Sequence, residues 1–152
     1  MLFPTHLAVA VLLGRRLRLS TAWLLVGAAL PDVVDKSLAT LGVVDLFHTV
    51  GHSGLLLVVA IPVAYAGRSG LALAVGWGTH LLADAFQIVL NGRPTDALFL
   101  GWPLVVPPTP MALPPLAFAR QYLWSPAFFV ELGIWAALAA AVVAERRRRP
   151  SE

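Results

Sequence analysis

Seven candidate metal ligands, four histidines and three aspartates, lie within the first 84 residues of this chain. Two of them, His48 and His52, are four residues apart, and His80 and Asp84 have the same spacing. On a helix this spacing places both side chains on one face, where they can bind one ion together. The remaining candidates are His6, Asp32 and Asp35.

The candidate ligands are imidazoles and carboxylates only, because the chain contains no cysteine. Nitrogen and oxygen donors suit zinc, with manganese or iron as alternatives, better than copper(I). Four imidazoles and three carboxylates exceed what one tetrahedral ion needs, so we expect one or two divalent ions. Two ions would clamp a phosphoester and lower the pKa of a bound water to about 7.

The composition predicts an integral membrane protein. Of its 152 residues 59% are hydrophobic and 12% are charged, and the mean hydropathy is +0.80. Soluble domains contain about 25% charged residues, a fraction that this chain does not reach. The net charge of +3 comes from arginine clusters beside apolar segments. We interpret these clusters as topology signals and expect no nucleic-acid partner.

Five apolar segments predict an all-α fold, a polytopic membrane bundle of about five transmembrane or membrane-embedded helices. The fourth and fifth segments are long enough to cross a bilayer, which takes about 20 residues. The first two are shorter, and we expect the second to end at Pro31. The five segments form one predicted domain, 1–145, before a basic tail at 146–152. The segments lie at about 3–14, 20–31, 53–67, 69–90 and 126–145.

Arginine placement predicts the orientation in the membrane. The loops after the first, third and fifth segments hold eight of the eleven basic residues, so the positive-inside rule makes that side cytoplasmic. The N-terminus then lies outside the cell membrane and the C-terminus inside it. All seven candidate ligands come to the outer face. Three basic residues depart from the rule: Lys36, Arg93 and Arg120.

The segment 91–125 contains seven prolines and is therefore predicted to form no long helix. Its aromatic residues, among them Phe99, Trp102 and Trp124, indicate a segment at the outer membrane interface that covers the site. Glu131, inside the fifth apolar segment, needs a polar partner there.

The order of these motifs resembles that of the membrane-bound metal-dependent hydrolases of bacteria and archaea, the YdjM-like family. The match runs from residue 5 to about 105. More distantly the order is similar to that of zinc-dependent phospholipase C enzymes, which implies a phosphoester substrate. The motifs are Thr5-His6, Pro31-Asp32, His48 to Ser53, Gly76 to Asp84, and Gly101-Trp102-Pro103.

The chain departs from the family pattern at two motifs. The family has P-D-x-D, whereas one more residue separates Asp32 from Asp35 here. The family often has an arginine directly after the first histidine of the third motif, where this chain has Thr49. Losing that arginine removes an anion clamp.

The expected function is hydrolysis of a phosphoester in a lipid or lipid-linked substrate. Asp35 and His52 are the candidate catalytic residues, with Asp35 acting either as a general base or by orienting a ligating histidine. Two alternatives stay open, a metal transporter or sensor and a structural membrane protein. The predicted metal ligands are His6, Asp32, His48, His52, His80 and Asp84.

Overall fold

The computed structural model describes residues 1–108 and 113–148. These residues form helices and turns and contain no strand, which confirms the all-α class. Two 3₁₀ helices, Leu56–Val59 and Pro94–Gly101, connect longer elements. The α-helices are α1 (Phe3–Leu17), α2 (Thr21–Thr40), α3 (Ala60–Tyr65), α4 (Arg68–Leu90), α5 (Pro115–Tyr122) and α6 (Pro126–Arg148).

Two helices are long and apolar enough to cross a membrane. They are α4 and α6, whose most apolar windows have mean hydropathies of 1.3 and 2.1. They correspond to the fourth and fifth apolar segments. The third segment forms only the short 3₁₀ turn and the six-residue α3. The structure thus supplies two candidate spans, and the membrane bundle of five helices stays a prediction.

Helix α2 does not end at Pro31, as the sequence predicts, but continues for nine residues to Thr40. A proline removes one helical N–H and crowds the preceding turn, but α2 continues through Pro31, which is buried and lies against the backbone of Gly51. The consequence is that Asp32, Asp35 and Lys36 project from a regular helix. The sequence instead places the two carboxylates in a turn beyond it.

The backbones of α2 and α4 lie in direct contact because glycines face each helix at the crossing. A Cβ atom on Gly76 would lie 2.3 Å from the carbonyl oxygen of Leu24. One on Gly27 would lie 2.1 Å from the carbonyl oxygen of Leu73. Small residues permit this approach, and it brings the carboxylates of α2 opposite the polar side chains of α4. The buried core beside the crossing consists of Ala10, Leu24, Ala28 and Ala72.

Gly76→Ala is expected to destabilise the protein by about 1–3 kcal/mol, because its new methyl group must push α2 away. Gly133→Ala is the matched control, since a Cβ on this α6 glycine meets nothing within 4 Å. The measurement is thermal unfolding of both variants in detergent. The control should unfold at or slightly above the wild-type midpoint. Equal midpoints for the two variants would contradict the close crossing.

The described part of the proline-rich segment 91–125 contains two short helices, Pro94–Gly101 and α5. Residues 109–112 of this segment lie outside the described residues. Of the predicted basic tail, α6 includes residues 146–148. The rest, 149–152, also lies outside the described residues. The location of both segments relative to a membrane stays a prediction.

Candidate metal centre

Helices α1, α2 and α4 and the loop 41–55 bring the six predicted metal ligands into one cluster. Within each of three overlapping groups the potential ligand atoms lie within 4.8 Å of one another. All six side chains except His48 are buried. Such groups can hold a metal ion, while binding itself stays a prediction. The groups are His6, His80 and Asp84; Asp32, His52 and His80; and His48, His52 and Asp84.

Asp84 lies at the centre of the cluster and faces all four histidines. Its Oδ1 is 3.2 Å from Nε2 of His6. Its Oδ2 is 3.2 Å from Nε2 of His80 and 3.5 Å from Nε2 of His52. The Nε2 atom of His48 is 3.7 Å away. Two ligands of a tetrahedral ion, each about 2.0–2.2 Å from it, are separated by roughly 3.3–3.6 Å. The spacing within the cluster matches that separation.

Asp35 holds His52 from the side opposite the cluster. Its Oδ2 lies 2.7 Å from Nδ1 of His52. Because a carboxylate only accepts, Nδ1 carries the hydrogen and Nε2 points into the cluster. Asp35 also accepts the backbone N–H groups of Thr49, Gly51 and His52, at 2.7, 2.8 and 3.2 Å. Fully buried and surrounded by donors, Asp35 occupies the orienting position rather than that of a general base.

His48 and His52 lie in a loop, so the helix suggested by their spacing of four residues is not formed there. A helix would pair the N–H groups of residues 49, 51 and 52 with carbonyls one turn earlier, but Asp35 accepts them instead. A Cβ on Gly51 would lie 2.7 Å from the Pro31 backbone, so the loop packs directly on α2. The two imidazoles still meet, with ring centroids 4.4 Å apart.

The backbone of α2 orients His80. Nδ1 of His80 lies 2.6 Å from the carbonyl oxygen of Ala28, which only accepts, so Nε2 again faces the cluster. The Nε2 atoms of His80 and His52 are 3.1 Å apart. Two unprotonated nitrogens would repel at that distance, so without an ion one of them carries a proton. An ion held by both nitrogens would take the place of this proton.

The environment of His52 favours that proton. Burial lowers the pKa of its imidazole, but hydrogen bonds and charge from Asp35 and Asp84 outweigh burial and raise the pKa to about 8. The two carboxylates therefore stabilise the charged form of the His52 imidazole.

His6 is buried without a hydrogen-bond partner. Its ring stacks on that of His80 at a centroid distance of 3.7 Å. Neither ring nitrogen forms a hydrogen bond with any described residue, although Nε2 lies 3.2 Å from Asp84. Buried polar atoms are nearly always paired, so two unpaired nitrogens in one ring require an explanation. A metal ion bound to Nε2, the nitrogen that faces Asp84, would explain why that nitrogen has no hydrogen bond.

Glu131 on α6 fixes the start of α1, which carries His6. Its carboxylate accepts the N–H of Leu2 at 2.8 Å and the hydroxyl of Thr5 at 2.7 Å. Trp135 donates to the same hydroxyl at 3.2 Å. These contacts are the partners that a carboxylate inside the fifth apolar segment needs. They also explain the Thr5-His6 pair, because the threonine anchors the turn that positions the histidine.

Ser53 and Gly54 connect the third motif to the later Gly101-Trp102-Pro103 motif. The hydroxyl of Ser53 donates to the carbonyl of Trp102 at 2.5 Å. The N–H of Gly54 donates to the carbonyl of Leu100 at 2.8 Å. This holds Phe99 against His48 and His52, with centroid distances of 5.2 and 6.0 Å. The later motif therefore supplies an apolar support for the two loop histidines.

A cavity of about 420 Å³ opens onto the cluster. Three of the predicted ligands line it, and the amino group of Met1 contacts Asp84 there. Two basic residues, Lys36 and Arg93, also line it and were not predicted as site residues. For Lys36 a signal existed, because it follows Asp32 by one helical turn. The lining ligands are Asp32, His48 and Asp84.

The comparisons with known proteins leave the family open. No family model, no curated protein and no solved structure matches this chain. The resemblance to membrane-bound metal-dependent hydrolases therefore stays a prediction from the motifs. The conclusion drawn from the structure is a buried cluster of histidine and aspartate side chains that can hold a metal ion and opens onto a cavity.

Proposed function

We propose that this protein is an integral membrane hydrolase that depends on a divalent metal ion and cleaves a phosphoester of a lipid or lipid-linked substrate. The observation that carries the proposal is the geometry of His52 and His80. Separate acceptors, Asp35 and the Ala28 carbonyl, turn both Nε2 atoms towards one point, 3.1 Å apart. Metal-binding histidines are held in this way.

The donor set fits a zinc ion, with manganese or iron as alternatives. All ligand atoms are imidazole nitrogens or carboxylate oxygens. Nε2 of His6 faces Asp84 at 3.2 Å without a well-aligned hydrogen bond, and this favours a metal ligand over a purely structural role for His6. The two oxygens of Asp84 face different histidines, so this carboxylate is the residue able to bridge two ions.

The predicted ligands differ in their position relative to the cavity. His6, His52 and His80 are buried and do not line it, whereas Asp32, His48 and Asp84 line it, where a substrate would contact them. A divalent ion supplies Lewis-acid polarisation of a phosphoryl oxygen and lowers the pKa of water to near neutrality. Phe99 packs on the rings of both loop histidines, of which His52 is fully buried and His48 is partly exposed.

The distribution of apolar surface supports a lipid environment. Buried positions include as many polar as hydrophobic residues, while large hydrophobic side chains such as Trp23, Leu82 and Phe129 are exposed. Helix α6 is the most apolar candidate span and only 11% of its window is buried. Soluble proteins rarely expose extended apolar patches. Together with the arginine pattern, this favours the cell membrane, with the site near its outer face.

The test is ion-dependent hydrolysis by the detergent-purified protein. Protein stripped with chelator and then supplied with zinc or manganese is offered a phospholipid panel and a generic phosphodiester. Hydrolysis should require the ion and should fall at least about 100-fold in Asp32→Asn, which loses a ligand at the cavity floor. Asp45→Asn, an exposed aspartate outside the cluster, should hydrolyse at the wild-type rate.

Two results would contradict the proposal. If the wild-type protein bound no divalent ion, a structural membrane protein would be the remaining alternative. A fully metallated protein that is inactive on phosphoesters and carboxylic esters would favour the transporter or sensor, in which the same ligands bind an ion without chemistry.

A further inference from the structure

The same cavity contains two cations that the ion cluster does not need. Lys36 reaches it from α2, and Arg93 reaches it from the turn after α4. Resting on the proposed function, we propose that Arg93 and Lys36 bind the phosphate of an anionic amphiphile, and that the apolar cavity wall receives its hydrocarbon chain. The two residues are then the specificity determinants for the head group.

Arg93 lines the cavity, and a carboxylate already orients its guanidinium. Its Nη1 donates to Oδ2 of Asp96 at 2.7 Å, and Asp96 is itself buried. This bond uses one of five guanidinium N–H donors. The remaining donors lie on a group whose position is already fixed, so little side-chain entropy is lost when they bind a phosphate in the bidentate way arginine favours.

Lys36 stands at the boundary between the cavity and the ion cluster. Its Nζ is 2.7 Å from Oδ2 of Asp32, whose Oδ1 faces Nε2 of His52 at 3.7 Å. The ammonium also lies 5.7 Å from the centroid of the Phe3 ring. With three donors and one carboxylate partner, Lys36 can hold a phosphate oxygen directly beside the ligands of the ion.

The charge of the cavity depends on whether an ion is bound. Three carboxylates, Asp32, Asp84 and Asp96, are balanced by three cations, Lys36, Arg93 and the Met1 amino group that contacts Asp84. A divalent ion in the cluster would make the cavity positive. Anion binding should therefore depend on the ion, and this charge complementarity favours an anionic head group over a neutral or cationic one.

The rest of the cavity fits a hydrocarbon chain. Its volume of about 420 Å³ is within the range of small-molecule sites, about 300–1,000 Å³. Apart from the charged groups, His48 and Gln87, the lining is apolar, and the arginine-based topology places this wall at the outer membrane interface. Lys36 and Arg93 are also two of the three basic residues that depart from the positive-inside rule. The wall residues are Leu46, Phe47, Phe99, Leu113 and Phe118.

The experiment measures binding of dodecylphosphonate, whose carbon–phosphorus bond is not a phosphoester, to zinc-loaded protein in a non-ionic detergent. Titration calorimetry of the wild type should show saturable binding. Arg93→Gln should weaken it about tenfold or more, as expected for loss of a charged hydrogen bond. Arg93→Lys should weaken it less. Arg120→Gln, which removes an exposed arginine outside the cavity, should bind like the wild type.

Three further arms test the occupant. Inorganic phosphate and dodecanol should each bind more weakly than dodecylphosphonate, and chelation of zinc should abolish phosphonate binding. If inorganic phosphate bound as tightly as dodecylphosphonate, a lipid would be overturned as the occupant. If dodecanol bound as tightly, phosphate binding by Arg93 and Lys36 would be overturned. Wild-type affinity in Arg93→Gln would overturn the role of Arg93. If that variant fails to fold, the same comparison is made with Lys36→Gln, where wild-type affinity would also overturn the clamp.

Zinc content measured in every variant separates this inference from the proposed function. Normal zinc content and normal phosphonate binding without hydrolysis would reject the hydrolase and keep phosphate binding by Arg93 and Lys36. Normal zinc content and hydrolysis, with unchanged phosphonate affinity in Arg93→Gln, would keep the hydrolase and reject that role of Arg93.

Discussion

Asp84→Asn is expected to empty the ion cluster. Among residues 1–108 and 113–148, Asp84 is the one side chain that faces all four histidines, through two differently directed oxygens. Replacing residues that merely orient metal ligands costs about 10–100-fold in affinity, so losing this central ligand should cost at least about 100-fold. Elemental analysis should find one or two divalent ions in each wild-type chain and less than about a tenth of that in the variant.

Unfolding in chelator provides the second measurement. An ion present at about 100 times its Kd stabilises the folded state by about 2.7 kcal/mol. Chelator should therefore lower the unfolding midpoint of the wild type and leave that of Asp84→Asn unchanged. Asp45→Asn serves as the control, because it removes an exposed carboxylate without touching the cluster. Its ion content and its response to chelator should match the wild type. Normal ion content in Asp84→Asn would exclude the cluster as the binding site.

The cluster could be anticipated from the sequence because its members are costly in apolar surroundings. His80 and Asp84 stand inside a long apolar segment, where an ionisable pair is retained only for a partner or a function. A topology based on arginines alone also brought the candidate ligands to one end of the segments. The structure places all six predicted metal ligands together, so residue type and spacing contained that information.

The sequence did not reveal which groups orient the ligands. The acceptor for His80 is the backbone carbonyl of Ala28, and a backbone atom leaves no trace in residue identity. The loop around His48 departs from a helix because a carboxylate fourteen residues earlier in the chain accepts its N–H groups. Such a contact depends on tertiary packing rather than on local spacing. Arg93 gave only an indirect signal, its departure from the positive-inside rule, since its cavity exists only after α4 and the Pro94–Gly101 turn have packed together.

The position of Pro31 shows how local rules can mislead at such a site. Proline usually ends a helix, which favours a turn containing Asp32 and Asp35. The helix continues instead, and α2 therefore directs Asp32 towards the cavity and Asp35 towards the loop. This arrangement brings the loop into close contact with Pro31, which Gly51 permits because it has no Cβ atom. The two carboxylates consequently differ in role although only two residues separate them.

Asp35→Asn is expected to weaken ion binding by about 10–100-fold while leaving turnover at saturating ion closer to wild type. Asp35 accepts four hydrogen bonds, three from backbone N–H groups and one from the imidazole of His52. An amide can accept through only one of its two atoms, so at least one buried donor loses its partner, at a cost of about 1–3 kcal/mol. The His48–His52 loop should loosen, and with it the orientation of the His52 ring.

Separate measurement of ion affinity and turnover distinguishes this orienting role from general-base catalysis. If Asp35 orients His52, the apparent Kd for zinc should rise first, and added zinc should restore most of the hydrolysis. If Asp35 is a base, zinc should bind normally and turnover should stay low at every zinc concentration. Imidazole nitrogen NMR adds a direct readout, because the Nδ1 resonance of His52 should shift in the variant and stay unchanged in Asp45→Asn. The burial of Asp35, its four donors and its absence from the residues that line the cavity favour the first result.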